Sequence, residues 1–209
     1  MINSYSEQRV ILREQFSARV PAEVVARIDA HAETLTELGQ KSVNLGATAP
    51  DFTLPDATGA KFTLSTALRA GPVVLSFYRG GWCPYCNLEL RLLQAALPEF
   101  RTRGARLVAI APESPNGSLS TTENNALEFD ALSDQDNETA RAYGLVFTVD
   151  EGIRDIFLAG GTDLSATGWQ LPITATYVLR TDGTITYAHR NGDFRERAEV
   201  SALLAALDA

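Results

Sequence analysis

Several things are scarce in this chain of 209 residues. Cysteine occurs twice, histidine twice and methionine once. Positive charge is short as well: 18 Lys and Arg stand against 26 Asp and Glu, a formal net charge of -8. Such a surface repels phosphate backbones, which argues against nucleic-acid binding. No apolar run reaches the length that spans a bilayer. The opening Met1-Ile2-Asn3-Ser4-Tyr5-Ser6-Glu7 has neither a basic n-region nor an apolar h-region, so it does not read as a signal peptide. There is no internal repeat and no low-complexity tract. The expectation is a cytoplasmic globular protein, where a structural disulfide is unusual. That compartment turns attention to catalysis or metal binding by the two cysteines.

The two cysteines lie three apart, in Phe77-Tyr78-Arg79-Gly80-Gly81-Trp82-Cys83-Pro84-Tyr85-Cys86. An apolar run from Pro72 to Tyr78 precedes them, and a helical pattern from Asn87 to Leu97 follows. A Cys-x-x-Cys pair therefore sits where a strand hands over to a helix. A helix N-terminus carries partial positive charge and unpaired amide donors. Both favour the thiolate, which is the reactive form. Arg79 is a nearby cation that adds to this effect. A zinc site needs a second ligand pair, and none is present; His31 and His189 lie far off in sequence. The Asp and Glu residues offer no acid–base pair. Trp82 and Tyr85 read as pocket walls rather than reactants.

Along the chain, residues 6–40 read as helical. Leu12, Phe16, Val20, Val24, Ile28, Leu35 and Leu38 fall on one stripe, and Val20-Pro21-Ala22-Glu23 breaks the stretch into two helices. The stripe needs cover, either from the domain that follows or from a second subunit in a homodimer. Its polar face is not basic, which argues against a membrane surface. Residues 39–50 read as a linker and 50–64 as a short hairpin. Ser65 is the expected cap of a brief helix through Leu68. Strands are expected at 72–78 and 105–111, joined by a helix at 87–103 into a parallel β-α-β unit. Residues 112–125 read as a loop and 129–132 as a strand; Ser133-Asp134-Gln135-Asp136 leads into a helix that carries Thr139, Ala140, Ala142 and Tyr143 and ends at Gly144, and 150–159 reads as another helix. A loop covers 160–170, strand-turn-strand follows at 174–189, and a helix closes at 198–207. The fold class is α/β: a central mixed sheet with helices on both faces. An N-terminal helical extension occupies 1–45 and the main domain 46–209.

Four segments carry a resemblance to a known family. They are Ala49-Pro50-Asp51-Phe52-Thr53-Leu54, Val73 to Tyr78, Leu132-Ser133-Asp134 with Ala140-Arg141-Ala142-Tyr143-Gly144, and Thr176-Tyr177-Val178-Leu179 with Asp182-Gly183. In order and spacing the chain resembles the peroxiredoxin branch (alkyl hydroperoxide reductase/thiol-specific antioxidant) of the thioredoxin superfamily, from about residue 46 to 207. The resemblance implies a thioredoxin-like fold and places the family's peroxidatic cysteine at Cys86. The family's Thr position falls on Cys83, its Pro position on Arg79, and its following Glu on Glu89. The family's active-site Arg falls near Thr174, leaving Arg79 as a candidate by proximity. Trp82-Cys83-Pro84-Tyr85-Cys86 also looks like the Trp-Cys-x-x-Cys of thioredoxin.

The implied activity is reduction of hydrogen peroxide or an organic hydroperoxide. Cys86 becomes a sulfenic acid, Cys83 condenses with it to a disulfide, and a thioredoxin- or glutaredoxin-like dithiol restores the pair. No haem, flavin, nicotinamide or metal is implied. Two alternatives stand beside it. In one, Cys83 attacks a partner's disulfide and Cys86 resolves it, giving a thiol–disulfide oxidoreductase. In the other, the pair is a redox sensor without turnover.

Overall fold

The computed structural model describes residues 4–38 and 42–209. Two helices lead the chain, α1 (Tyr5–Ser17) and α2 (Ala22–Thr34), and Pro21 stands at the N-cap of the second. A small hairpin pairs β1 (Thr53–Pro55) with β2 (Lys61–Thr63) and runs into α3 (Leu64–Leu68). Next come β3 (Val73–Phe77), α4 (Pro84–Ala95), α5 (Leu97–Thr102) and β4 (Arg106–Ala111). Then follow α6 (Pro115–Asn124), β5 (Asp130–Ser133), α7 (Glu138–Ala142), β6 (Val146–Thr148) and α8 (Glu151–Ala159). The chain ends with β7 (Gln170–Pro172), β8 (Thr174–Leu179), β9 (Ile185–Asn191) and α9 (Val200–Leu207).

The central sheet has the order β5-β4-β3-β8-β9, with β3, β4 and β5 parallel and β8 and β9 antiparallel to their neighbours. Strand β3 is central, and it is buried at every position. Its odd side chains Val73, Leu75 and Phe77 pack with α3 and α7 residues such as Leu64, Leu68 and Ala140. Its even residue Val74 packs with Leu90 and Leu93 of α4, Phe100 of α5 and Leu203 of α9. With both faces covered, neither set of alternating positions meets water, hence the continuous apolar run.

The leading helices pack on their own chain. The Glu199 carboxylate accepts the backbone N–H groups of Tyr5 and Ser6 at 3.0 and 2.9 Å, capping the free amides at the start of α1. The Tyr5 hydroxyl donates to the Arg195 carbonyl at 2.9 Å. Asp29 of α2 pairs with Arg13 of α1 at 2.6 Å and also with Arg195. Arg27 of α2 pairs with Asp155 of α8 at 2.6 Å. Among the described residues, no helix is long and apolar enough to cross a membrane.

The structure corrects three local expectations and adds one strand pairing. Residues 115–124 are a helix, not a loop: Pro115 opens it and Ser114 accepts the Gly117 N–H at 3.2 Å. Only Ser118 and Thr121 of α6 are buried, so there is no apolar stripe to read. The helix expected at 87–103 starts earlier, at Pro84, and divides at Ala96, because Pro98 has no N–H to continue the ladder. Ser65 is not the cap of α3. Thr63 holds the N-cap position, and Asp51 accepts the Ser65 N–H at 2.9 Å instead. Finally, 146–148 and 170–172 pair as a two-stranded sheet across α8.

Candidate active site

The site forms where β3 hands over to α4. After Phe77 the chain turns through Arg79–Trp82. Gly80 adopts φ +140, and a Cβ there would lie 2.5 Å from the Trp82 indole nitrogen. Glu113, just beyond β4, holds this turn. It accepts the Gly81 N–H at 2.9 Å, the Tyr78 hydroxyl at 2.9 Å and the Thr121 hydroxyl at 3.0 Å. From the other side, Asn87 donates to the Gly81 carbonyl at 2.7 Å. Position 81 has no room for a side chain, since a Cβ would lie 2.2 Å from the Thr121 hydroxyl oxygen.

Cys83 is the N-cap of α4 and Cys86 lies in its first turn. Both are free thiols and both are buried, at 1% and 0% exposure. A side-chain hydrogen bond joins them.

Two buried guanidiniums flank the pair. Arg197, from the segment between β9 and α9, donates to Cys86 Sγ at 3.2 Å. The same side chain pairs with Glu89 at 2.5 Å and donates to the Thr174 hydroxyl at 3.0 Å and the Phe194 carbonyl at 2.5 Å. Glu89 in turn accepts the hydroxyls of Thr176 at 3.1 Å and Ser76 at 3.3 Å. Every oxygen of this buried carboxylate is therefore matched to a donor, as a buried charge requires. Arg79 is different. Its guanidinium sits among the rings of Phe194, Trp82 and Phe157, at 4.5, 4.9 and 5.5 Å from their centroids. Among the described residues no carboxylate pairs with it, and its buried Nε has no hydrogen-bond partner.

These surroundings separate the two thiols. Burial opposes ionisation of Cys83, but the Cys86 hydrogen bond and the charges of Arg79 and Arg197 outweigh it and pull the thiol from 9.0 to about 6. Cys86 moves the other way. Burial, then the hydrogen bond and charge of Cys83, push it well above the ordinary range against the pull of Arg197. The sulfurs titrate as a pair that keeps one negative charge near neutral pH. Burial and the two sulfurs act oppositely on Arg79, and burial lowers it on balance.

A cavity of about 200 Å³ opens onto the site. Its walls are largely apolar: Phe16 and Ile28 from the leading helices, Ile153, Ile156 and Phe157 from α8, with Trp82 beside them. Cys83, Arg79 and His31 also line it; Cys86 does not. His31 is held below its ordinary pKa by burial and by Arg79, so it faces the cavity neutral. His189 lies in β9, where burial and then Arg197 lower its pKa to about 4.

Of the residues singled out in the sequence, Cys83, Cys86, Arg79 and Trp82 meet directly. Glu89 and Thr174 reach the sulfurs only through Arg197. The sequence reading did not find Arg197. It stands 23 residues beyond Thr174, the position the resemblance marked for an arginine, and Thr174 is the group it hydrogen-bonds. Nothing in the charged run Asp193-Phe194-Arg195-Glu196-Arg197 distinguishes it locally. Phe16 and Ile28, on the apolar stripe of the leading helices, also face the cavity.

Comparison with known proteins adds to this geometry. The sequence model of the AhpC/TSA family matches residues 45–188. A putative peroxiredoxin of Mycobacterium tuberculosis is 30% identical over 146 residues, covering 70% of this chain and 84% of the relative. The thiol-disulfide oxidoreductase ResA of Geobacillus thermodenitrificans is 29% identical over 140 residues, covering 66% of this chain and 77% of the relative. Among solved structures, the peroxidoxin BcpB of Mycobacterium tuberculosis superposes with a TM-score of 0.64 at 25% identity, covering 79% of this chain and 97% of the other.

Proposed function

Because the chain belongs to the AhpC/TSA family, we propose that it is a thiol-dependent peroxidase of the peroxiredoxin type, working through Cys83 and Cys86. The observation that carries this reading is the pair of hydrogen-bonded free thiols beside two buried guanidiniums, with an apolar cavity leading to them. One sulfur, as thiolate, attacks the terminal oxygen of a hydroperoxide. The O–O bond breaks, the leaving alkoxide takes a proton as the alcohol, and the sulfur becomes a sulfenic acid. The second sulfur attacks the first, an S–S bond forms and water leaves. The two electrons that reduce the peroxide come from the two thiols. A thioredoxin- or glutaredoxin-like dithiol of the cytoplasm then reduces the disulfide by exchange. The apolar walls favour an organic hydroperoxide over hydrogen peroxide, since they offer contact area only to a carbon body.

The test is consumption of cumene hydroperoxide with dithiothreitol or a thioredoxin system as electron donor. Wild type turns over, and the double variant Cys83→Ser, Cys86→Ser does not. Full turnover by the double variant would remove the two sulfurs from the mechanism. The likeness to ResA supports a second reading, in which the same pair exchanges with disulfides of other proteins. Insulin reduction faster than peroxide consumption would favour that reading.

A further inference from the structure

The resemblance assigns the oxygen-accepting sulfur to Cys86. The geometry points to Cys83: we propose that Cys83 attacks the hydroperoxide and that Cys86 resolves the product. This rests on the peroxidase reading and adds the order of the two sulfurs to it.

Access is the first argument. Cys83 lines the cavity, and Cys86 lies behind it with no exposed surface. A hydroperoxide whose carbon body rests against Phe16, Ile28 and Ile156 meets the Cys83 sulfur first.

Charge is the second. The charge of Arg197 is shared with Glu89, its closest partner. Arg79 has no carboxylate partner among the described residues, and the cavity it lines is the one Cys83 faces. Its charge, held in no ion pair among the described residues, is available to a Cys83 thiolate and to the oxygen that leaves when the O–O bond breaks. Position is the third. As the N-cap of α4, Cys83 stands where the helix presents its unpaired amides and its positive end, which favours an anion there. The pull of the Cys83 thiol down to about 6 agrees with all three.

The same geometry explains how Cys86 becomes reactive only afterwards. While Cys83 is a thiolate, its charge keeps the Cys86 proton in place. Transfer of oxygen turns Cys83 into a neutral sulfenic acid and removes that charge. Arg197, 3.2 Å from the Cys86 sulfur, then favours the Cys86 thiolate. This thiolate attacks the Cys83 sulfur, the S–O bond breaks, and the departing hydroxide takes up the released proton as water.

One equivalent of cumene hydroperoxide, added to reduced protein with dimedone as sulfenic-acid trap, tests the order by peptide mass spectrometry. Cys86→Ser should trap dimedone on Cys83. Cys83→Ser should be oxidised about 100-fold more slowly or worse, having lost its nucleophile. Rapid trapping on Cys86 in Cys83→Ser, with Cys86→Ser inert, overturns the proposal. A wild type that forms no disulfide with peroxide would instead sink the peroxidase reading itself. Should either variant fail to fold, wild type supplies a second measure. Limiting iodoacetamide should label Cys83 ahead of Cys86, with a midpoint near pH 6. Preferential labelling of Cys86 would refute the assignment.

Discussion

Arg197 shows what one side chain carries. It is 5% exposed, and its charge is divided between Glu89 and the Cys86 sulfur. Glu89→Leu removes the carboxylate that balances this buried cation, and unfolding free energy should fall by about 3–5 kcal/mol in urea denaturation. The double variant Glu89→Leu, Arg197→Met should recover most of the loss, because a buried ion pair can be replaced by well-packed apolar groups. A single variant as stable as wild type would contradict the burial on which the pair rests. Cys83 carries a pH signature. Its folded pKa of about 6 lies below the ordinary 9.0. Between these values the folded reduced chain has released a proton that the unfolded chain still holds. Stability of the reduced protein should therefore rise from about pH 6 to about pH 9 and be lost as pH falls back through 6. Cys83→Ser should flatten that rise; denaturation midpoints at several pH values give the comparison. The cysteines, Arg79 and Trp82 were legible because they are neighbours in sequence. Arg197 was not, since only folding brings it to Cys86, 111 residues away.

Elements set how firmly the site is held. The turn between β3 and α4 contains two glycines for different reasons: Gly80 for its backbone angle and Gly81 for want of space. Gly81→Ala pushes a methyl against the Thr121 hydroxyl, so either the turn or α6 must shift. Because Arg79 and Cys83 ride on that turn, kcat/KM for cumene hydroperoxide should drop about 10- to 100-fold while circular dichroism stays native. An unchanged rate would mean the turn does not position the sulfurs. The apolar strands β3 and β4 and the β8–β9 hairpin were readable from the sequence, being apolar runs or ended by turn residues. Helix α6 has no apolar stripe in the sequence because its buried residues, Ser118 and Thr121, are polar. Its signal was the Ser114-Pro115 start, and Ser114→Ala should cost about 1 kcal/mol in thermal or chemical denaturation.

At the scale of the molecule, α1 and α2 are walls of the cavity beside Cys83 as well as cover for the core. Tyr5, Asp29 and Arg27 tie them to the segment before α9 and to α8. Ile28→Trp should fill part of the cavity and lower kcat/KM for cumene hydroperoxide more than for hydrogen peroxide, which needs little room. Equal losses for both substrates would argue that the cavity is not the route to Cys83.

The amino-acid sequence by itself determined the α/β sheet and the placing of a thiol pair at the start of a helix. Those features follow from local periodicity and from neighbours a few residues apart. Which cation stands at which sulfur, and which sulfur faces the cavity, was decided by tertiary structure alone. Arg197, Phe16 and Ile28 lie far from the cysteines in sequence, and only packing of the leading helices and the last loop around α4 brings them within reach.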